Sequence, residues 1–133
     1  MKRRQALLTL LAAAVVTAVG IIPVHADDRQ GTTAITHGFH ATMKAKPGQG
    51  DAVVALLFEA PVFDDPDCKV FLIGRSKSDP DVVFVTEGWV SEAAHAEFGA
   101  TAASQAYAAR FAPLVDEWTT SDEIPVGGKA VLD

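Results

Sequence analysis

From Ile35 the chain reads Ile-Thr-His-Gly-Phe-His-Ala-Thr-Met-Lys-Ala, an alternation that predicts a strand closed by the turn Lys46-Pro47-Gly48. The period then lengthens. After Asp51, Val53, Leu56, Leu57 and Ala60 recur at helical spacing, Pro61 stands near the helix end, and Asp64-Asp65-Pro66-Asp67 follows as a loop. Two nearly continuous apolar runs come next, Cys68 to Arg75 and Val82 to Val90, joined by the turn-forming stretch Ser76 to Asp81. Such runs predict strands covered on both faces. Ser91 suits the N-cap of a short helix through His95 and Phe98, with Gly99 as its end. Beyond Thr101 a second helical segment carries Tyr107, Phe111, Leu114 and Val115 on one stripe, and Asp122 to Leu132 reads as a closing strand interrupted by Gly127-Gly128.

Strand, helix, strand, strand, helix, strand is the order of an α+β, ferredoxin-like βαββαβ protomer, an antiparallel sheet with its helices on one face. The other face stays open. If its residues are apolar it needs a second copy or a ligand, so a homodimer with pockets beside the sheet is the expected completion.

The region before Ile35 has a different character. Lys2-Arg3-Arg4 is cationic, Ala6 to Ile22 is apolar, and Val24 and Ala26 take the small-residue positions of a cleavage site, so residues 1–26 are expected to be an export signal peptide. Arg3-Arg4 also resembles part of a twin-arginine signal. The alternative is an uncleaved anchor, since Ala6 to Val24 nearly reaches the roughly 20 residues of a spanning helix. Residues 27–34 are expected to be a flexible segment and residues 35–133 the folded domain. After cleavage, eight basic residues face 17 acidic ones, a net charge of −9. That balance argues against nucleic acid and against docking on anionic lipid, so no stable membrane association is expected of the mature chain. Cys68 is the single cysteine, so no internal disulfide can form.

Alternation along the third strand puts Val83, Val85, Glu87 and Trp89 on one face and Phe84, Thr86 and Gly88 on the other. A glutamate on a covered face must be paired, hydrogen-bonded or held protonated. Near the strand end it can instead reach solvent or an ordinary basic neighbour. The candidate partners are His37, His40 and His95. His37 and His40 are three apart on a strand and face opposite sides, which argues against a zinc pair, and no metal is expected. In the expected strand order His40 can meet Glu87 across the ladder, and His95 can overhang the same site from the next helix. A histidine oriented by a carboxylate is a serviceable general base near neutral pH. Trp89, Tyr107 and Phe111 are candidates for an aromatic pocket wall or for plain core packing. No nucleophile elbow, activated-thiol motif or phosphate loop occurs.

Several stretches together resemble the antibiotic biosynthesis monooxygenase superfamily, of the quinol monooxygenase type. These are His37-Gly38-Phe39-His40 leading to Lys46-Pro47-Gly48, Cys68 at the second strand, Ser78-Asp79-Pro80-Asp81, Val85-Thr86-Glu87-Gly88-Trp89, Ser91-Glu92-Ala93-Ala94-His95 and Pro125 to Lys129. The resemblance implies a ferredoxin-like protomer pairing into a dimeric α/β barrel. It also implies oxidation of a quinol or polycyclic phenol by O2 with no flavin, haem or metal cofactor. Carried onto this chain, it makes His40 or His95 the base, Glu87 its orienter, and Trp89, Phe39 and Tyr107 the substrate contacts. The alternative function is a non-catalytic protein holding a small aromatic or haem-like ligand on the same dimeric fold. The alanine-rich helix after His95 and the export signal depart from the family pattern and leave the substrate open.

Overall fold

The computed structural model describes residues 35–129; the expected export signal, the 27–34 segment and the last four residues lie outside them. Four strands, β1 (His37–Ala45), β2 (Cys68–Arg75), β3 (Val82–Trp89) and β4 (Val115–Glu123), form one antiparallel sheet in the order β2-β3-β1-β4. Three helices accompany it, α1 (Gly50–Leu57), α2 (Glu92–Ala100) and α3 (Ala102–Ala109), with a 3-10 turn at Pro61–Asp64. This is the expected ferredoxin-like arrangement.

The two-residue alternation sorts the sheet into unequal faces. Ala41, Met43 and Ala45 of β1 and Val83 and Val85 of β3 are buried with Val53, Leu56 and Leu57 of α1 and Phe111. A second cluster sits at the other end of the same face, where Trp89 packs with Ala60 and Val62, flanked by Phe98 and Tyr107. On the opposite face Leu72 and Phe84 are 53% and 42% exposed, while at its other end Pro125, Gly127 and Lys129 of the tail line a cleft with Gly38, Val70 and Gly88.

The start of α1 is held by a distant residue. Gln49 makes no side-chain cap; instead the Asp81 carboxylate, in the β2–β3 turn, accepts from the backbone N–H of Gly48 at 3.0 Å and of Gly50 at 2.9 Å. Gly50 is needed there because a Cβ would lie 2.1 Å from the Pro80 carbonyl oxygen, a backbone atom that cannot step aside. Gly48, at φ 78°, takes the left-handed turn position. The hairpin and the β1–α1 turn are thus one unit.

Three expectations are corrected. Gly99 does not end the helix after Ser91; α2 runs to Ala100, and Thr101, extended at ψ 146°, breaks the chain and caps α3 by accepting from Ser104 N–H at 3.1 Å. The helical stripe through Val115 does not form either, because α3 stops at Ala109 and Pro113 cannot continue a helix. The closing strand therefore starts at Val115 rather than Asp122, and Ile124 to Lys129 has no regular structure. As an edge strand with one neighbour, β4 is mostly exposed and lacks the apolar alternation that marks β1.

Candidate functional site

Residues 87 and 89 of a strand share a face, so the Trp89 indole lies alongside the Glu87 carboxylate. Trp89 Nε1–H donates to Glu87 Oε2 at 2.7 Å. Ser91, the N-cap of α2, accepts from Ala94 N–H at 3.0 Å and starts the helix so that His95 stands one turn in, back over β3. There the His95 ring stacks on Trp89, with centroids 5.0 Å apart, and its Nε2 lies 3.6 Å from Glu87 Oε2. Phe39, opposite Glu87 across the β1–β3 ladder, touches the third side of the His95 ring with centroids 4.8 Å apart.

The chain of polar atoms continues outward. His95 Nδ1 lies 3.0 Å from Nε2 of His37, which pairs with Trp89 in the ladder and is buried. The same His37 Nε2 is 3.4 Å from Oδ1 of Asp122, an exposed residue at the end of β4. A row of polar atoms therefore runs from Asp122 at the surface through His37 and His95 toward Glu87 inside, its last step, at 3.6 Å, longer than a hydrogen bond.

Glu87 faces an apolar cavity of about 80 Å³ between the sheet and the helices, walled by Phe39, Leu57, Phe71, Phe98, Tyr107 and Trp118 among others. Among the described residues it is the only carboxylate in that wall. Its side chain is 13% exposed. Burial pushes the Glu87 carboxyl above its ordinary range, and the Trp89 hydrogen bond opposes this. Burial also lowers His95, with His37 adding to the effect and Asp122 opposing it. The Tyr107 hydroxyl donates to the Leu56 carbonyl at 2.9 Å, which ties α3 to α1 across the cavity.

Of the residues expected in the site, Glu87, His95, Phe39 and Tyr107 converge. Trp89 is fully buried and stands beside Glu87 rather than in the cavity wall. His40 does not meet Glu87: the register sets His40 against Thr86 and Phe39 against Glu87, which sends His40 to the open face. There its Nε2 pairs with Glu123 Oε1 at 3.0 Å and its Nδ1 lies 3.3 Å from Thr86 Oγ1. From the sequence His37 was one of three candidate partners of Glu87 with no position assigned, and Asp122 was not among the candidates. The signal for His37 was its shared parity with Phe39, which puts it on the Glu87 face. Cys68 is no nucleophile, since burial first and Glu87 second push its thiol up to about 12 and its S–H donates to the Val70 carbonyl at 3.2 Å.

Residues 36–110 match the family model for antibiotic biosynthesis monooxygenases. Among solved structures, a candidate antibiotic biosynthesis monooxygenase from Chloroflexus aurantiacus is 30% identical, with a TM-score of 0.65 over 71% of this chain and 97% of its own. A second such candidate, from Caulobacter crescentus, is 25% identical, with a TM-score of 0.59 over 69% of this chain and 91% of its own. A protein from Shewanella oneidensis, 23% identical with a TM-score of 0.64 over 71% of this chain and 95% of its own, shares the fold. No curated protein matches the chain significantly.

Proposed function

Since the chain belongs to the antibiotic biosynthesis monooxygenase family, we propose that it oxidises a quinol or polycyclic phenol with O2 and that Glu87 takes the phenolic proton. The observation that carries this reading is a single buried carboxylate in an otherwise apolar cavity. A cavity of about 80 Å³ falls below the roughly 300–1,000 Å³ of drug-sized pockets, which favours a small ring system or one that enters through the open side.

A phenol, with a pKa near 10, yields its proton only reluctantly to an ordinary carboxylate. Raising Glu87 narrows that gap. The resulting anion is electron-rich and can pass an electron to O2; the two radicals join as a carbon–oxygen bond, and protonation gives a hydroperoxide. Loss of water, taking the hydrogen from the same ring carbon, leaves a quinone. The sum is phenol plus O2 giving quinone plus water, with all electrons from the substrate. The protein's share is a dry pocket, a base and an exit for the proton. The sequence reading made a histidine the base; here His95 stands behind Glu87 and passes the proton toward His37 and Asp122. The base is thus reset from solvent without opening the cavity.

Two further features belong to this reading. The sheet face that exposes Leu72 and Phe84 is the surface on which two copies pair. The cationic, apolar, small-residue order of residues 2–26 supports action outside the cytoplasm.

The test is oxygen uptake by the purified protein across a panel of quinols and polycyclic phenols, corrected for autoxidation. Protein-dependent uptake that falls about 10²–10⁴-fold in Glu87→Gln, with the circular dichroism spectrum unchanged, is the expected result. Retention of a phenol in the cavity without turnover would instead identify a binding protein.

A further inference from the structure

We propose that His37, His95 and Asp122 form a binding site for a divalent first-row transition-metal ion; an ion held there takes the atoms that would otherwise carry the proton away from Glu87, so the metal-loaded chain lacks that relay. The ligand atoms are His37 Nε2, His95 Nδ1 and a carboxylate oxygen of Asp122, which all lie within 4.8 Å of one another. The two imidazole nitrogens are 3.0 Å apart, and His37 Nε2 is 3.4 Å from Asp122 Oδ1. Ligands at about 2.0–2.2 Å from one ion stand roughly 3–3.5 Å from each other, so small side-chain adjustments suffice to close the site.

The surroundings of His95 have the form of a metal ligand's outer partners. A coordinating imidazole usually gives its other ring N–H to a carboxylate, which sets the tautomer and leaves the first nitrogen's lone pair free. Here His95 Nε2 faces Glu87 at 3.6 Å, and Glu87 is itself fixed by Trp89 Nε1–H at 2.7 Å. The backbone supplies the rest. β1 and β4 run side by side with Phe39 opposite Asp122, so the first residue of β1 and the end of β4 meet beneath the first turn of α2.

Ligand chemistry selects the ion. Two imidazoles and one carboxylate suit Zn²⁺, Cu²⁺, Ni²⁺ or Fe²⁺, whereas Ca²⁺ and Mg²⁺ favour oxygen-only shells. The sole thiol, Cys68, is bonded to Val70 and takes no part. Asp122 is exposed, so water can complete the coordination from the solvent side. His37 and His40 still face opposite sides; the second histidine of the site comes from α2, which spacing along β1 does not reveal.

A single proton shared between the two imidazoles is the competing occupant, and metal titration separates the two. Chelator-stripped protein carrying no histidine tag is titrated with Co²⁺, following the visible d–d bands, and with Zn²⁺ by calorimetry. Saturation at one ion per chain is expected. Affinity should fall by about 10–100-fold in Glu87→Gln, the usual effect of losing a ligand's outer partner, and by more in His37→Ala and in Asp122→Ala. The Asp122 variant alters an exposed side chain and so remains informative if the buried His37 change disturbs folding. His40→Ala, on the other sheet face, should bind as the parent does. Absence of saturable binding, or binding unchanged in Asp122→Ala and His37→Ala, overturns the proposal.

Discussion

Glu87 sits at a balance between burial, which favours its protonated form, and the Trp89 indole, which favours the carboxylate. Removing the indole N–H with Trp89→Phe should therefore shift the acid limb of the rate profile to higher pH. The same balance has a stability consequence. Burial raises the folded-state pKa above the unfolded one, so the folded chain holds this proton more tightly. The resulting stability is complete below the ordinary value of 4.5 and is lost as pH rises through the raised folded value. Glu87→Gln removes this loss, so the variant should gain on the parent as pH rises from 4 to 8 in denaturant melts; a constant difference would contradict it. Glu87 was legible in the sequence because a charge in a period-two apolar run is conspicuous. Its partner was not. Whether His40, His37 or His95 meets Glu87 depends on which residue stands opposite which, and one step in register changes the face. The structure sets Phe39 opposite Glu87, and that decides against His40.

Among the elements, those with their own apolar periodicity were legible: β2 at Cys68–Arg75 agrees at both ends, and Ser91 caps α2 as expected. β4 was not, because Val-Asp-Glu-Trp-Thr-Thr-Ser-Asp-Glu owes its extended form to the ladder with β1 rather than to a buried face. The N-terminal support of α1 was equally hidden, since Asp81 lies over 30 residues from the N–H groups it accepts. Asp81→Ala leaves those donors without their partner and should cost about 1–2 kcal/mol in urea denaturation, well above an ordinary surface change. Lys44 pairs with Asp79 in the same turn, so the turn ties β1, β3 and α1 together at the end of the sheet away from the site. Activity in Asp81→Ala should therefore change far less than stability.

For the whole molecule, the unequal faces of the sheet set the assembly expected in solution. Helices cover the face that carries the site, and Leu72 and Phe84 stand on the other. Light scattering after size exclusion should give the mass of a dimer. Placing a carboxylate in that face with Leu72→Asp or Phe84→Asp should give monomers that keep their helical spectrum. The cavity lies within one copy, so such monomers should still bind a phenol, and loss of binding would mean that the partner completes the site.

In the proposed function the buried carboxylate, and not a histidine, takes the substrate's proton. The most direct measurement is the pH dependence of protein-dependent oxygen uptake, compared between the parent and Glu87→Gln with an oxidisable quinol. Uptake in the parent should rise with pH about a midpoint above the 4.5 of an ordinary glutamate, and that limb should vanish with the activity in the variant. A variant that keeps both the rate and the midpoint of the parent would contradict it.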